Sequence, residues 1–294
     1  MSRDQIRRFV FDDTPIRGQW IGLDQSLVQS SQHLDAEAYA HRLLGDALSA
    51  VCLLAATLKF DGHITLQIRG QGALHLLVAQ ATQNLEIRGL VRQNSRIRDT
   101  SASLGEIFQA DKMVITIDRG QGRPYQGIVP LSGHSIGHAL EAYFAHSEQL
   151  PTHIWLASDA ERAGGLLLQK MPQQGHYDEQ DVDAWSRVNQ LAATVKRGEL
   201  LELPSEPLLL RLFHQEKLRL FKPRPISFSC SCSSERTADM VRSLGADEAH
   251  GIVAEQGRLE VVCEYCNAAY RFDAIDVEQL FQPGGEIAPS DTRH

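Results

Sequence analysis

Five cysteines stand in this chain of 294 residues, and four of them gather near its C-terminal end as two short motifs. Cys230 and Cys232 form a C-x-C; Cys263 and Cys266 form a C-x-x-C about thirty residues later. Residues two apart on an extended segment point to one face, so both sulfurs of the C-x-C can reach a single ion. The C-x-x-C sits between Leu259–Val262 and Tyr270–Phe272, which read as the two arms of a hairpin. Four thiolates converging tetrahedrally, at about 2.3 Å each, are what zinc asks of a closed structural site. Neither the bacterial nor the plant-type spacing of iron–sulfur ligands matches. The expectation is one zinc ion on Cys230, Cys232, Cys263 and Cys266. Thiolates are also the species oxidants attack, and coordination keeps them deprotonated. The cluster is therefore either a staple or a switch, and spacing alone does not choose. The fifth cysteine, Cys52, lies in an apolar helical stripe and reads as a small buried hydrophobe.

The unit that must position these sulfurs spans residues 227–282, with a frayed tail at 283–294 rich in proline, glycine and polar residues. Some 55 residues rarely supply enough core to fold alone, whereas a structural zinc contributes about 10–16 kcal/mol to folding a zinc-finger peptide. Upstream, residues 36–58 read as an amphipathic helix, with Leu43, Ala47, Leu48, Val51, Leu54, Ala55 and Leu58 at three- and four-residue steps. Strands are expected at Ile64–Ile68, Leu74–Ala79, Leu85–Val91, Met113–Asp118, Tyr125–Leu131, His153–Ala157 and Leu166–Met171, and a second helix at 134–148. Arg69-Gly70-Gln71-Gly72 and Arg119-Gly120-Gln121-Gly122 fall between strands, so they read as glycine-built hairpin turns rather than phosphate loops. Hairpins grouped around two separate helices give the fold class α+β for residues 1–177. A helical linker follows at 178–226. Its first helix has Asp178, Glu179, Asp181 and Asp183 at the start and Lys196-Arg197-Gly198 at the close. Its second lies in Leu200–Phe221, with nine Leu and two Phe, capped by Ser205 and stopped by Pro223 and Pro225. So apolar a stripe must be buried, and the first domain is the surface expected to bury it.

Charge and hydropathy exclude several classes. The formal net charge of −8 argues against a general nucleic-acid coat. No apolar run approaches the roughly 18–20 residues of a membrane span, and the polar start Met1–Gln5 lacks a signal peptide, which points to the cytoplasm. Gly133-His134-Ser135-Ile136-Gly137 matches the nucleophile elbow of serine hydrolases, with Asp159 and His176 as candidate partners for Ser135. The preceding hairpins do not fit that fold, and Ser135 reads better as a helix cap. His134 and His138 lack a third metal ligand at matching spacing. Arg88, Arg92, Arg96 and Arg98 lack interleaved aromatics and read as a solvated face. A zinc-ribbon nucleic-acid-binding adaptor is the main competing reading, and a hydrolase using Ser135 a weaker one. No nucleotide-binding loop of the P-loop type is present.

The C-x-C followed by C-x-x-C resembles the Hsp33 family of redox-regulated bacterial chaperones. So do Thr57-Leu58-Lys59-Phe60-Asp61-Gly62, Tyr125-Gln126-Gly127, Ser147–Pro151 and Gly164-Gly165-x-Leu167-Leu168-Gln169, and the similarity runs over essentially the whole chain. The resemblance implies a non-enzymatic, ATP-independent holdase that serves in stress, inactive while reduced and zinc-bound. It implies that oxidation pairs Cys230 with Cys232 and Cys263 with Cys266, releases zinc, and unfolds the C-terminal domain and linker. The activated form would be a homodimer that binds unfolded proteins, with no role for nucleic acid or membrane. Asn267 departs from the glycine that often follows the last cysteine, but asparagine tolerates a left-handed backbone.

Overall fold

The first strands of the chain, β1 (Gln5–Phe11) and β2 (Ile16–Leu23), pair antiparallel, with Phe9 opposite Gly18. A side chain at position 18 would collide with the Phe9 ring, since a Cβ there would lie 2.1 Å from it. The computed structural model describes residues 3–12, 14–57, 61–120, 122–131, 133–172 and 183–282. Two compact units result, Met1–Ser229 and Cys230–His294. The tail 283–294, the acids Asp178, Glu179 and Asp181, His176, the boundary expected at 177 and the segment Leu58–Phe60 lie outside the described residues.

In the first unit, α1 (Gln25–Ser31) leads into the long helix α2 (Ala38–Thr57). Antiparallel strands β3 (His63–Arg69), β4 (Leu74–Thr82) and β5 (Glu86–Gln93) follow, then α3 (Leu104–Phe108), β6 (Lys112–Asp118) and β7 (Tyr125–Pro130). Helix α4 (Ile136–Tyr143) runs on into one π turn, Phe144–Glu148, before β8 (Thr152–Ser158) and β9 (Ala163–Lys170). Both Arg-Gly-Gln-Gly segments join antiparallel neighbours, β3 with β4 and β6 with β7, as hairpin turns do. The first also lodges against α3, where the amides of Gln71 and Gly72 donate to the Phe108 carbonyl.

Three short helices and three short strands complete this unit: α5 (Ala184–Ala192), α6 (Arg197–Glu202), α7 (Ser205–Phe213), β10 (Leu218–Leu220), β11 (Arg224–Pro225) and β12 (Ser227–Phe228). One sheet runs β10-β1-β2-β9-β8, with β11 also on β1; the other runs β12-β5-β4-β3-β6-β7. Helix α2 is packed between inward faces of both, its Leu44, Leu48 and Val51 beside Ile64, Leu66 and Ile87 of one sheet and Ile21 and Leu167 of the other. It is long and apolar enough to cross a membrane, but 72% of its apolar window is buried inside the protein, as in a core helix. Cys52 is fully buried here, and burial pushes its thiol pKa far up, which leaves it unreactive.

The opposite face of the β1-β2-β9 sheet carries a second core. Phe9, Phe11, Trp20 and Leu166 meet Val188, Leu200, Leu208, Leu212 and Phe213 of α5–α7. The segment departs from the sequence expectation in three places. Lys196-Arg197-Gly198 opens α6 rather than closing α5, because the Glu199 carboxylate accepts the Lys196 backbone N–H at 2.8 Å. The cap of α7 is Pro204, and Ser205 is its first helical residue. Leu218–Leu220 is a strand paired with Phe9–Phe11 rather than helix, a change of period that a leucine-rich run conceals. Strands β1 and β2 carried no expectation from the sequence at all.

The second unit is small. Helices α8 (Ser234–Leu244) and α9 (Ala246–Gln256) precede the hairpin β13 (Leu259–Val262) and β14 (Ala269–Phe272), and α10 (Ala274–Phe281) closes it. Ala238, Val241, Ala249, Val253, Leu259, Phe272, Val277 and Leu280 form its core.

Candidate metal centre

Two backbone devices aim the four sulfurs. The C-x-C runs irregularly into α8, whose start is fixed by Ser233: its extended backbone and its Oγ, 3.2 Å from the Arg236 amide, make an N-cap. The Arg236 guanidinium reaches back to the Ser231 carbonyl at 2.9 Å, tying the residue between the two cysteines to the helix. The C-x-x-C occupies the turn of the β13–β14 hairpin. Asn267 N–H donates to the Cys263 carbonyl at 2.8 Å, and Cys263 N–H donates to the Ala268 carbonyl at 2.9 Å. Closing that turn puts Asn267 at φ 60°, the left-handed region in which asparagine is tolerated.

The sulfurs meet across the motifs. Cys230 Sγ lies 3.6 Å from Cys263 Sγ, and Cys232 Sγ lies 3.3 Å from Cys266 Sγ. All four lie within 4.8 Å of one another. A disulfide requires about 2.05 Å, so these are free thiols. A tetrahedron of sulfurs around an ion with bonds of about 2.3 Å has edges of about 3.8 Å, so the donor set and its spacing suit a metal ion. Among the described residues this is the one group of three or more Cys, His, Asp or Glu gathered so closely.

Charge completes the case for a cation. Burial raises the pKa of Cys230, but hydrogen bonds from the Cys232 amide and the neighbouring thiols outweigh it and hold the group below its ordinary value. Cys263 and Cys266 go the other way: burial pushes both up, and all three adjoining thiols add to the rise at Cys266, whereas at Cys263 the Cys230 thiol adds to it and the Cys266 thiol opposes it. Without a cation, one thiolate forms at the expense of its neighbours. A divalent ion bound among them would reverse that balance, favouring the deprotonated form of every sulfur it touches while offsetting two of the four charges.

Tyr270 is part of the site and was not legible as such. Its hydroxyl hydrogen-bonds to Cys232, and this bond, with some burial, raises the phenol pKa so that the proton stays in place to be donated. The signal was present: Tyr270 and Phe272 alternate on one face of β14, with Phe272 buried.

Other candidates take structural places. Ser135 caps α4, accepting the His138 amide at 3.2 Å from an extended backbone. Asp159 caps a turn by accepting the amides of Glu161 and Arg162. His134 and His138 join no metal-capable cluster among the described residues. Arg88 donates to Gln80 at 2.7 Å across β4 and β5, and Arg96 faces Glu37 at 3.9 Å.

Comparison with known proteins agrees over the full length. The family model described as Hsp33 protein matches residues 4–273. A 33 kDa chaperonin of Methylobacillus flagellatus is 44% identical over 293 residues, covering 99% of each chain. That of Nitrosococcus oceani is 43% identical over 294 residues, covering 100% of this chain and 99% of its own. The crystal structure of the 33 kDa chaperonin, a heat shock protein 33 homologue, from Thermotoga maritima superposes with a TM-score of 0.77 at 23% identity. It covers 94% of this chain and 97% of its own and speaks to the fold. With family model, relatives and cysteine cluster in agreement, this chain belongs to the Hsp33 family.

Proposed function

We propose that this protein is a cytoplasmic, ATP-independent holdase under redox control, with Cys230, Cys232, Cys263 and Cys266 holding one zinc ion in the reduced state. The observation that carries the reading is the gathering of four free thiols within 4.8 Å, in a unit whose buried apolar core has eight residues among those described. The relatives bear the name chaperonin, and binding rather than catalysis is the function proposed. Zinc, when bound, supplies positive charge and a cross-link between the two motifs.

Oxidation by a peroxide joins Cys230 to Cys232 and Cys263 to Cys266. Each disulfide forms as two zinc-bound thiolates give up two electrons, which with two protons from solvent reduce one hydrogen peroxide to two waters. The four thiolate donors are thereby consumed and the metal cross-link is lost. Residues 227–282 then unfold, the connector at 178–226 lifts away, and the freed apolar surface binds partly unfolded clients and a second copy of the chain. What supports the connector's part is its composition. Leu208, Leu209, Leu212 and Phe213 are all buried, and each such side chain returned to water represents about 1.5–3 kcal/mol of transfer energy.

The test is light scattering from a heat-denatured protein, with zinc release followed in the same samples. Peroxide-treated protein should suppress aggregation and reduced protein should not. Equal suppression by both would remove redox control from the reading, and suppression by neither would remove the holdase.

A further inference from the structure

Helix α6 is fastened to the β1-β2-β9-β8 sheet by different chemistry at its two ends. At its C-terminal end, the Arg3 guanidinium donates to the carbonyls of Leu200, at 2.8 Å, and Leu201. The backbone comes so close that a Cβ on Gly164 would lie 2.2 Å from the Leu200 oxygen. At its N-terminal end, Arg197 donates to the carbonyl of Ser158, the last residue of β8. Ser158 in turn faces Asp46 of α2. Its Oγ lies 2.7 Å from Asp46 Oδ1 and 2.5 Å from the Arg42 carbonyl oxygen.

That triangle has a proton-counting consequence. A serine hydroxyl owns one proton. With Asp46 ionised, both neighbours of the Ser158 oxygen are acceptors, and only one can be served. With Asp46 protonated, the carboxyl donates to Ser158 Oγ, which donates onward to the Arg42 carbonyl, and both short contacts become hydrogen bonds. We propose that Asp46 and Ser158, in the cavity that Val195, Arg197 and Leu200 help to close, form a proton-dependent latch beneath the connector, in which a proton on Asp46 favours the seated α6 and ionisation loosens it. Asp46 is thus a positioning residue for the connector, acting through Ser158 and through the burial that the seated connector imposes on its carboxyl.

Desolvation gives the same direction and outweighs the neighbouring arginines, which by themselves favour the ionised carboxylate. Burial pushes the Asp46 carboxyl up to about 6, against the pull of the Ser158 hydrogen bond and the positive charges of Arg197 and Arg42. The group lines a cavity of about 490 Å³ and keeps partial access to water, which lets it exchange its proton. Other ionisable groups face the same cavity: Tyr39 from α2, His138 and Glu141 from α4, and His134 just before it. Because the closed-state pKa stands above the ordinary carboxylate value, the proton binds the closed latch more tightly than the open one. The added stability is complete below about pH 4 and is lost as pH rises through about 6.

From the proposed function this takes only that the connector can lift off, and it is tested on reduced protein without clients or oxidant, so the two readings fail separately. Hydrogen exchange at the amides of Leu200 and Leu203, corrected for intrinsic rates, should show opening up to about tenfold rarer at pH 5 than at pH 7.5. Asp46→Asn should flatten that profile. The carbon-13 titration of the Asp46 carboxyl in the wild-type chain should have its midpoint near 6, moving higher in Arg197→Gln. A midpoint below 5 overturns the latch, and so does a wild-type profile that survives in Asp46→Asn. A profile abolished instead by His138→Ala assigns the pH dependence to α4 and overturns the latch as well.

Discussion

The two units of this molecule solve the problem of staying folded in opposite ways. In the first, α2 and the inward faces of two sheets make a continuous core of 41 buried residues among those described, and Cys52, its one cysteine, is sealed inside and chemically silent. In the second, eight buried residues make the core, and the four cysteines are only half-buried. Buried apolar area is insensitive to oxidants, whereas a thiolate cluster is not. On the function proposed above, what separates a permanent fold from a conditional one is which of the two carries the stability. The connector is the last part of the first unit, and its apolar residues, Leu208 and Phe213 among them, share a second core there with Phe9 and Trp20 of the sheet.

The largest test of this contrast is removal of a metal donor. Cys263→Ser should abolish stoichiometric zinc and, with it, a contribution of about 10–16 kcal/mol, which exceeds or matches the whole stability of a typical domain. Hydrogen exchange should then show residues 230–282 unprotected while α2 and the strands around it keep their protection. Tight zinc in the Cys263→Ser protein would break the comparison, and so would loss of protection in both units together.

Next in size is the connector. Phe213 is 1% exposed and meets the Phe11 ring edge-on at 5.1 Å between centroids, with Phe9 at 6.2 Å. Phe213→Ala should cost about 3–5 kcal/mol of connector stability. In reduced protein, proteolysis within residues 183–226 should accelerate and aggregation should be suppressed without peroxide, while zinc content stays at one per chain. Unchanged proteolysis would show that the connector does not depend on this aromatic cluster.

Gly164→Ala is a smaller perturbation of the same contact. Its methyl group must displace the Leu200 carbonyl, a backbone atom that cannot rotate aside, at a cost of about 1–3 kcal/mol. The expected result is faster amide exchange in α6 with α7 little changed, which would separate the grip on α6 from the grip on the aromatic cluster. An α6 as well protected as in the wild type would mean that the close approach of Gly164 is not what seats it.

Residue patterns made some of this legible and not the rest. Alternation in Ile64, Leu66 and Ile68 is strong because β3 has one face in the main core, and the apolar run from Leu43 to Leu54 is strong because α2 is buried on nearly every side. The cysteine spacing was legible because sulfur donors, unlike packing, leave fixed residue types in the sequence. The leucine-rich run misled for a physical reason. Leu suits a buried helix and a sheet edge equally, so nothing in Leu212 or Leu218 marks where one period gives way to the other. Lys196-Arg197 misled because charge near a helix end says only that an end is close, and the following Glu199 decides which end. Strands β1 and β2 escaped notice because β2 is buried along nearly its whole length, so polar residues such as Gln19, 2% exposed, interrupt the expected alternation.

The smallest predicted effect sits at the metal centre itself. Tyr270 donates its hydroxyl proton to Cys232, drawing electron density from one sulfur and fixing its direction. Tyr270→Phe keeps the ring on the inner face of β14 and removes only that hydrogen bond. The unit should therefore fold and bind one zinc, with affinity weakened by about tenfold in a competition titration against a chelator. Peroxide should also release zinc faster, because a thiolate relieved of a hydrogen-bond donor is the stronger nucleophile. Both effects trace to Cys232, so the Cys263→Ser background, already without the site, should show neither. If affinity and release rate were both unchanged in Tyr270→Phe, the ring would be packing and nothing more. The conditional stability of the second unit would then rest on its four sulfurs alone.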